Sequence, residues 1–204
     1  FITLLINILT EELNVDFDNI NYEYASEAGG LNFYYQFTIE KKINSKKLIE
    51  EIASSSPYLT YFKNNKFNIL PIKRDYANEN AFIIDTNDII DYKYARTQIE
   101  KVMNRCKVKY HYDYGLKDYT RETEWIYAKD SFFDENGNQT YHENYYGIKD
   151  EQELIHESKY IRDTGTALGL AYYLLFTSCN QHNIFTIKLP LSYISLNIGD
   201  IIQF

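Results

Sequence analysis

The sequence predicts a β-rich α+β fold, and three observations carry this prediction. Tyrosine is unusually frequent at 21 residues, with 12 phenylalanines beside it, and such side chains favour the pleated, half-buried surface of a sheet. The segment KVKYHYDYG, residues 107–115, alternates charged and apolar residues as a half-buried strand does. Residues 163–179 instead carry Ala and Leu at the spacing of a helix packed on a core. Strand and helix signals therefore share one chain of 204 residues.

The first 42 residues predict one helix and one strand. Residues 1–13 place Leu5, Leu9 and Leu13 on one stripe at helical spacing. The Asn- and Asp-rich segment that follows ends this helix. Residues 31–42 alternate apolar and polar side chains toward their end, which is typical of a strand. We therefore expect an amphipathic helix, a connector and a strand.

A second helix and a hairpin come next. Asn44 or Ser45 is placed to cap a helix whose apolar residues share one face, and Pro57 ends it. The segment after Pro57 predicts two strands joined by a turn near Asn64-Asn65. Together with the preceding strand, these elements predict a compact α/β unit.

The middle of the chain predicts further strands. A short strand is expected in FIIDTNDII, whereas residues 97–105 fit a helix and an extended chain equally well. In the strand at 107–114, Val108 and three tyrosines (Tyr110, Tyr112, Tyr114) face one way, and the charged residues between them face the other. The segment 122–147 predicts strands around a turn at residues 135–138, in an exposed loop.

The last third predicts a helix between strands. Asp163 is placed to cap a helix that runs to Cys179. The segment IFTIKLPL, residues 184–191, predicts a strand. Gly199-Asp200 predicts a turn before a final strand, because Gly adopts positive φ without a steric penalty and Asp bonds nearby backbone.

Composition and charge exclude several classes of protein. The net charge is −8 and the isoelectric point about 5.0, whereas a protein that binds nucleic acid without sequence preference needs clustered Lys and Arg. Cys106 and Cys179 are far apart and predict reduced thiols. The apolar segment FITLLINIL is too short to span a bilayer, so we expect no stable membrane insertion. Because the chain begins at Phe1 with apolar, periodic residues, we expect a piece of a longer protein.

No motif predicts catalysis, a cofactor or a metal ion. Cys179 and His182 have a C-x-x-H spacing, but a closed zinc site needs four ligands and the chain has only two Cys and four His. The segment from Asp134 lacks the Gly and Glu positions of a calcium loop. Glu122 and Glu124 would share a face of a strand, a pattern that 29 acidic residues produce by chance. We therefore assign no catalytic, cofactor-binding or metal residue, and interpret the tyrosines as core and subunit interface.

The order of short motifs resembles one protein family over most of residues 31–204. The motifs are the helix and hairpin of residues 45–70, Ile89-Ile90, Asn104, Val108-Lys109-Tyr110, Tyr146-Gly147, Tyr160-Ile161-Arg162-Asp163, Leu189-Pro190-Leu191 and the segment Leu196 to Ile202. In this order the chain is similar to the hub and tail-tip attachment (host-specificity) proteins of bacteriophage tails, including baseplate hubs of contractile tails.

This resemblance implies an architecture and a role. It implies a tube-like β-barrel with a flanking helix, so residues 79–204 become a barrel-like hub domain with helix 163–179. Residues 31–78 become the small α/β domain, and residues 1–30 an N-terminal helix and connector. The final strand would close the barrel and leave no exposed edge. The resemblance implies no catalytic residues and no enzymatic activity; it implies a trimeric ring that closes the tail tube in the virion, after synthesis in the host cytoplasm.

The implied partners are further copies of the chain, the distal tail protein and tail tube, and fibre or spike proteins. No sequence-specific nucleic-acid binding is implied; acidic side chains lining the tube would let DNA pass without sticking. The interface candidates are Tyr110, Tyr112, Tyr114, Phe185 and Ile187. The alternative is a tail-associated carbohydrate-binding protein or glycan hydrolase that uses exposed tyrosines and a carboxylate pair.

Overall fold

The computed structural model describes residues 1–22, 33–72, 81–128, 132–133, 139–140, 146 and 151–204. Both helices and strands occur along them, and most strands follow one another without an intervening α-helix, so the α+β class is confirmed. The helices are α1 (Ile2–Asn7), α2 (Ser45–Ser54) and α3 (Thr164–Ser178). The strands are β1 (Ile20–Tyr22), β2 (Tyr58–Lys63), β3 (Lys66–Pro71), β4 (Phe82–Ile83), β5 (Asp91–Arg96), β6 (Arg105–Asp113), β7 (Asp118–Glu122), β8 (Ile126–Tyr127), β9 (Phe132–Phe133), β10 (Gln139–Thr140), β11 (Glu153–Glu157), β12 (Asn183–Lys188) and β13 (Ile202–Gln203).

The first core lies between two helices and a three-stranded sheet of order β1-β3-β2. The N-terminal helix is confirmed, and α1 continues as a π-helical turn over Ile8–Glu12. The predicted second helix is also confirmed, and the Asn44 side chain caps it by accepting from the Lys47 N–H. Apolar residues of all these elements pack together: Ile2, Leu5, Ile8, Leu9, Ile20, Leu48, Ile49, Ile52, Phe67 and Ile69.

The β2–β3 hairpin turns where the sequence predicts. Asn64 and Asn65 have φ angles of 51° and 60°, and the flanking Lys63 and Lys66 pair across the turn. Two consecutive positive φ angles match the twist of a two-residue hairpin turn, and Asn tolerates them better than most residues. The turn residues therefore fix the register of the hairpin.

The strand predicted over residues 31–42 is wrong for the part that the structure describes. Residues 33–42 form only an isolated bridge, from Tyr35 to Ile161. The third strand of the sheet is β1, which pairs in parallel with β3. Alternating apolar and polar residues over this short segment do not produce a strand. The backbone of the segment bonds to other parts of the chain instead, as in the hydrogen bond from the Gln36 N–H to the Tyr160 carbonyl.

The second core lies between α3 and a sheet centred on β6. Strand β11 pairs with β6 in parallel, and β7 and β8 pair with it antiparallel. Helix α3 covers this sheet, and its N-terminus is capped by the Asp163 carboxylate, which accepts from the Thr166 N–H at 2.7 Å. The buried set of this core is Cys106, Val108, Tyr110, Ala128, Ile161, Ala167, Leu170, Ala171, Leu175 and Cys179. The predicted strand and the predicted capped helix are both confirmed.

The two cores meet at the segment after β11. Tyr160 belongs to the first core and its neighbour Ile161 to the second. The Tyr35 ring packs against both cores, and its hydroxyl donates to the Ser55 carbonyl at 2.7 Å. Burial raises the pKa of Tyr35, so this hydroxyl stays protonated and remains a donor. Tyr160 and Ile161, although adjacent in the sequence, thus pack in different cores and join them.

A third region, formed by residues 81–96 and 183–204, corrects the expected barrel. Strand β12 pairs only with β5 among the described residues, and β13 pairs in parallel with the two residues of β4. The strand predicted at 184–191 is present but ends at Lys188, and Leu191 begins a 3₁₀ turn. The predicted turn is present: Gly199 has a φ of +92°, and the Asp200 carboxylate accepts from the Asn197 N–H at 2.6 Å. The last strand does not close a barrel, since the described strands form separate open sheets.

Three further predictions concern residues 97–105, the turn at residues 135–138 and the domain boundaries. Residues 97–105, which the sequence left undecided, contain one 3₁₀ turn at Ile99–Lys101 before β6 begins. The predicted turn at 135–138 lies outside the described residues, although β9 and β10 on its two sides pair antiparallel. The domain division at residues 30 and 78 stays a prediction. No helix in the described ranges has the length and apolar character needed to cross a membrane.

Candidate interface and ligand sites

The three tyrosines of the β6 hairpin lie in different environments. Tyr110 is 3% exposed and belongs to the second core, where its hydroxyl lies 3.0 Å from the Thr164 hydroxyl. Tyr112 and Tyr114 are half-buried. His111, between Tyr110 and Tyr112, has a φ of 58°, and its N–H donates to the Ile161 carbonyl. This left-handed residue interrupts the regular alternation of the strand, so the predicted common face is divided.

The predicted residues Phe185 and Ile187 lie on a two-stranded ribbon made of β5 and β12. Their cross-strand neighbours are Tyr94 and Tyr92, respectively. Because side chains alternate along a strand, these four residues share one face; we call it the ribbon face. The Phe185 and Tyr94 ring centroids are 5.1 Å apart.

The ribbon face is largely uncovered. Tyr92 is 67% exposed and Phe185 is 48% exposed, although the Phe204 ring approaches Phe185 with centroids 5.6 Å apart. Every residue of β5 is exposed, and among the described residues neither strand pairs with any other. The ribbon therefore presents apolar rings and two open strand edges.

A pocket of about 470 Å³ lies beside the β6–β7 hairpin, between α2 and the segment 37–43. We call it the lysine–tyrosine pocket, because five lysines and three tyrosines line it: Lys41, Lys42, Lys47, Lys117, Lys159, Tyr112, Tyr114 and Tyr160. Phe37, Glu40 and Glu51 also line it. Two of the predicted interface tyrosines are thus in a concave site that no sequence motif indicated.

Hydrogen bonds and ring contacts hold the walls of this pocket in place. The Thr38 N–H donates to the Tyr114 hydroxyl at 3.1 Å, which ties the segment 37–43 to the β6 hairpin. The Tyr160 hydroxyl donates to the Glu51 carboxylate on α2. Burial, and to a smaller extent this bond to a carboxylate, raise the pKa of Tyr160. The Phe37 ring meets the Tyr160 ring edge-on at 5.0 Å, which extends the first core to the pocket wall.

A buried polar network near the pocket is structural rather than catalytic. The His156 Nε2 lies 3.3 Å from the Ser55 hydroxyl, which donates to the Ser158 hydroxyl at 2.8 Å. Ser55 and Ser158 are each 1% exposed, so no substrate can reach the Ser–His pair. Burial lowers the pKa of His156, which keeps the ring neutral where it joins the two cores.

The carboxylates and cysteines that the sequence analysis weighed do not form a site. Glu122 binds the Lys107 ammonium at 2.9 Å, and neither it nor Glu124 lines the lysine–tyrosine pocket. Burial raises the pKa of Cys106 to about 11. The His182 Nε2 lies 2.6 Å from the Thr177 carbonyl. Within the described part of the chain, no three His, Cys, Asp or Glu side chains are placed to hold a metal ion.

Comparison with known proteins finds a distant likeness to a solved structure. No protein-family model matches the chain, and no curated protein matches it. Among solved structures, the chain is similar to the 43 kDa tail protein of prophage MuSo2 from Shewanella oneidensis, with 11% identity and a TM-score of 0.49. The match covers 92% of this chain and 49% of that protein, so the chain spans about half its length. A likeness at this level carries no argument about fold or function.

Proposed function

We propose that the chain is a structural subunit of a bacteriophage tail and, more narrowly, a hub or tail-tip protein that closes the tail tube. Two features support the proposal. The order of short motifs over most of residues 31–204 resembles that family. The ribbon face leaves aromatic side chains in water on a strand pair with open edges, and such a surface is suited to burial in an assembly.

The ribbon face is the observation that carries this function. Its rings are about half or more exposed in the isolated chain, yet they are largely apolar and aligned across two strands. In the proposal, three copies form a ring through these surfaces. The distal tail protein and the tail tube bind above the ring, and fibre or spike proteins bind below it. DNA passes through the lumen, and the protein acts in the virion by assembly rather than by catalysis.

Immunogold electron microscopy tests the location directly. Antibody raised against this polypeptide is applied to whole phage particles and to extracts of infected cells. The proposal expects gold at the distal end of the tail. Label in the extracts together with unlabelled particles would reject a role in the virion, and label along the whole tail would reject the hub while keeping a tail protein.

Carbohydrate binding is a second candidate function, and the lysine–tyrosine pocket favours it. Half-buried tyrosine rings and charged side chains line one concave surface, as ligand sites often combine apolar walls with a few polar groups. The hydrolase version has less support, because Glu51 is held by Tyr160 and Lys47. Direct binding measurements with sugars separate this candidate from a purely structural role.

A further inference from the structure

We infer that the lysine–tyrosine pocket binds an anionic saccharide, a sugar that carries a carboxylate or phosphate group. This inference rests on the second candidate function, carbohydrate binding, and narrows it to a class of ligand. It does not depend on the location of the protein in a tail.

The charge of the pocket is opposite to that of the chain. Five lysines and two glutamates line it, whereas the whole chain has a net charge of −8. Lys41, Lys42 and Lys117 have no carboxylate within ion-pair distance among the described residues, while Lys47 lies 3.7 Å from Glu51. Three of the five lysines thus line the cavity without a carboxylate partner among the described residues, and a bound anion would supply one.

The rings of the pocket supply an apolar surface beside this charge. The Tyr112 and Tyr114 ring centroids are 5.2 Å apart with the rings nearly perpendicular, and Tyr112 is also 5.1 Å from Tyr119. The Lys159 ammonium lies 4.7 Å from the centroid of the Tyr112 ring. Tyr112 thus contacts two other rings and one cation at the pocket wall, so the site places an aromatic surface beside positive charge.

The remaining polar groups fit hydroxyls better than a nucleic acid. Glu40 at the pocket adds a carboxylate that can accept hydrogen bonds from sugar hydroxyls. The described residues that line the pocket include no Arg, Asn or Gln, although these side chains are the usual readers of base edges. A long polyanion would also have to lie on an acidic protein. A short ligand with one anionic group does not extend over the acidic surface of the protein.

The pocket is also of a suitable size and is held by defined contacts. Its volume of about 470 Å³ lies in the range of ligand sites. One wall is fixed by the bond from Thr38 to Tyr114, and another by the bond from Tyr160 to Glu51. Less ordering of the walls is therefore needed when a ligand binds.

Titration of the purified chain with small sugars tests the inference. The probes are glucuronic acid, glucose 1-phosphate, glucose and inorganic phosphate, followed by NMR at low salt. We expect each anionic sugar to bind at least about tenfold more tightly than glucose, since one charge-assisted contact is worth roughly that factor. The carboxylate and phosphate probes show which anionic group the pocket prefers.

Matched variants locate the binding. The double variant Lys42→Gln/Lys117→Gln removes two pocket charges, and Tyr112→Leu removes a ring. The control, Lys93→Gln/Lys188→Gln, makes the same change of charge on the exposed ribbon. The inference expects about tenfold weaker binding in each pocket variant and unchanged binding in the control. Unfolding curves confirm that each variant is folded.

Four results would overturn the inference. Glucose binding as tightly as glucuronic acid would keep carbohydrate binding and reject the anionic ligand. Inorganic phosphate binding as tightly as glucose 1-phosphate would indicate an anion site that does not recognise sugar. Tighter binding of single-stranded oligothymidylate, lost in the lysine variant, would assign the pocket to nucleic acid. No binding by any sugar would reject both the ligand and the carbohydrate-binding function.

Discussion

Strands β6 and β12 have similar patterns in the sequence and opposite environments in the structure. Both carry apolar residues two positions apart on one face (Val108 and Tyr110 in β6, Phe185 and Ile187 in β12), and both were predicted to lie at an interface. Strand β6 is the centre of a sheet that α3 covers, so Val108 is fully buried. Strand β12 pairs only with β5 among the described residues, and Phe185 stays half-exposed. Such a pattern therefore predicts a strand with one apolar face. It does not predict which element covers that face, because the covering element comes from another part of the chain.

The largest expected effect is in the second core. Leu170→Ala removes a fully buried side chain from α3 and should lower the free energy of unfolding by about 2–5 kcal/mol, because the tightly packed site cannot close the cavity. Urea denaturation measures the change. Leu191→Ala is the matched control, since Leu191 is 83% exposed beyond β12. Equal losses of unfolding free energy in the two variants would contradict the difference between the covered β6 sheet and the exposed region around β12.

The cap of α3 should contribute less than its core residues. Asp163→Ala removes the acceptor of the Thr166 N–H and should lower the free energy of unfolding by about 0.5–2 kcal/mol. Asp163→Asn keeps an acceptor oxygen and should recover most of the loss. If the two variants were equally unstable in urea, the stabilisation would come from the charge rather than from the cap.

The contact between the two cores should make stability depend on pH. Burial lowers the pKa of His156 in the folded chain, so the unfolded chain binds more protons once the pH falls below about 6.5. The free energy of unfolding should therefore decrease on acidification, by less than about 1 kcal/mol between pH 7 and pH 6. His156→Gln should remove most of this slope in urea titrations at several pH values. If the dependence of the unfolding free energy on pH were unchanged in this variant, other titratable groups would be its source.

The smallest effect on stability is expected on the ribbon face. Phe185→Ser should change the free energy of unfolding of the monomer by no more than about 0.5 kcal/mol, since exposed positions away from a core rarely contribute more. Val108→Ser, on the corresponding apolar face of β6, is the comparison and should be strongly destabilising because it buries a hydroxyl in an apolar core. Similar losses would show that the ribbon is covered within its own chain.

The parts of the fold that local chemistry determines were predictable. The Asn44 and Asp163 caps and the Asn64-Asn65 turn each depend on residues a few positions apart. Pairing between distant segments was not predictable from such signals. The final strand pairs in parallel with β4, more than a hundred residues earlier, and this pairing replaces the expected barrel closure.

The candidate sites were likewise predictable only where the signal lies within one short segment. Phe185 and Ile187 could be named from the sequence as apolar positions of a strand, and they lie on the ribbon face. Tyr110 has the same pattern but is a core residue, because α3 covers its strand. The lysine–tyrosine pocket was missed, because its lysines come from three separate parts of the chain. The pairs Lys41-Lys42 and Lys46-Lys47 were the only local sign, and such pairs are common on exposed surfaces.

Sedimentation velocity over a range of protein concentrations tests the central claim, that the ribbon face joins copies of this chain. The account predicts that the wild-type chain associates, with a trimer as the largest species, and that Phe185→Ser and Tyr92→Ser sediment as folded monomers at the same concentrations. Lys93→Gln, on the opposite face of β5, should associate like the wild type. A wild-type chain that stays monomeric throughout, or ribbon variants that associate as it does, would contradict the account.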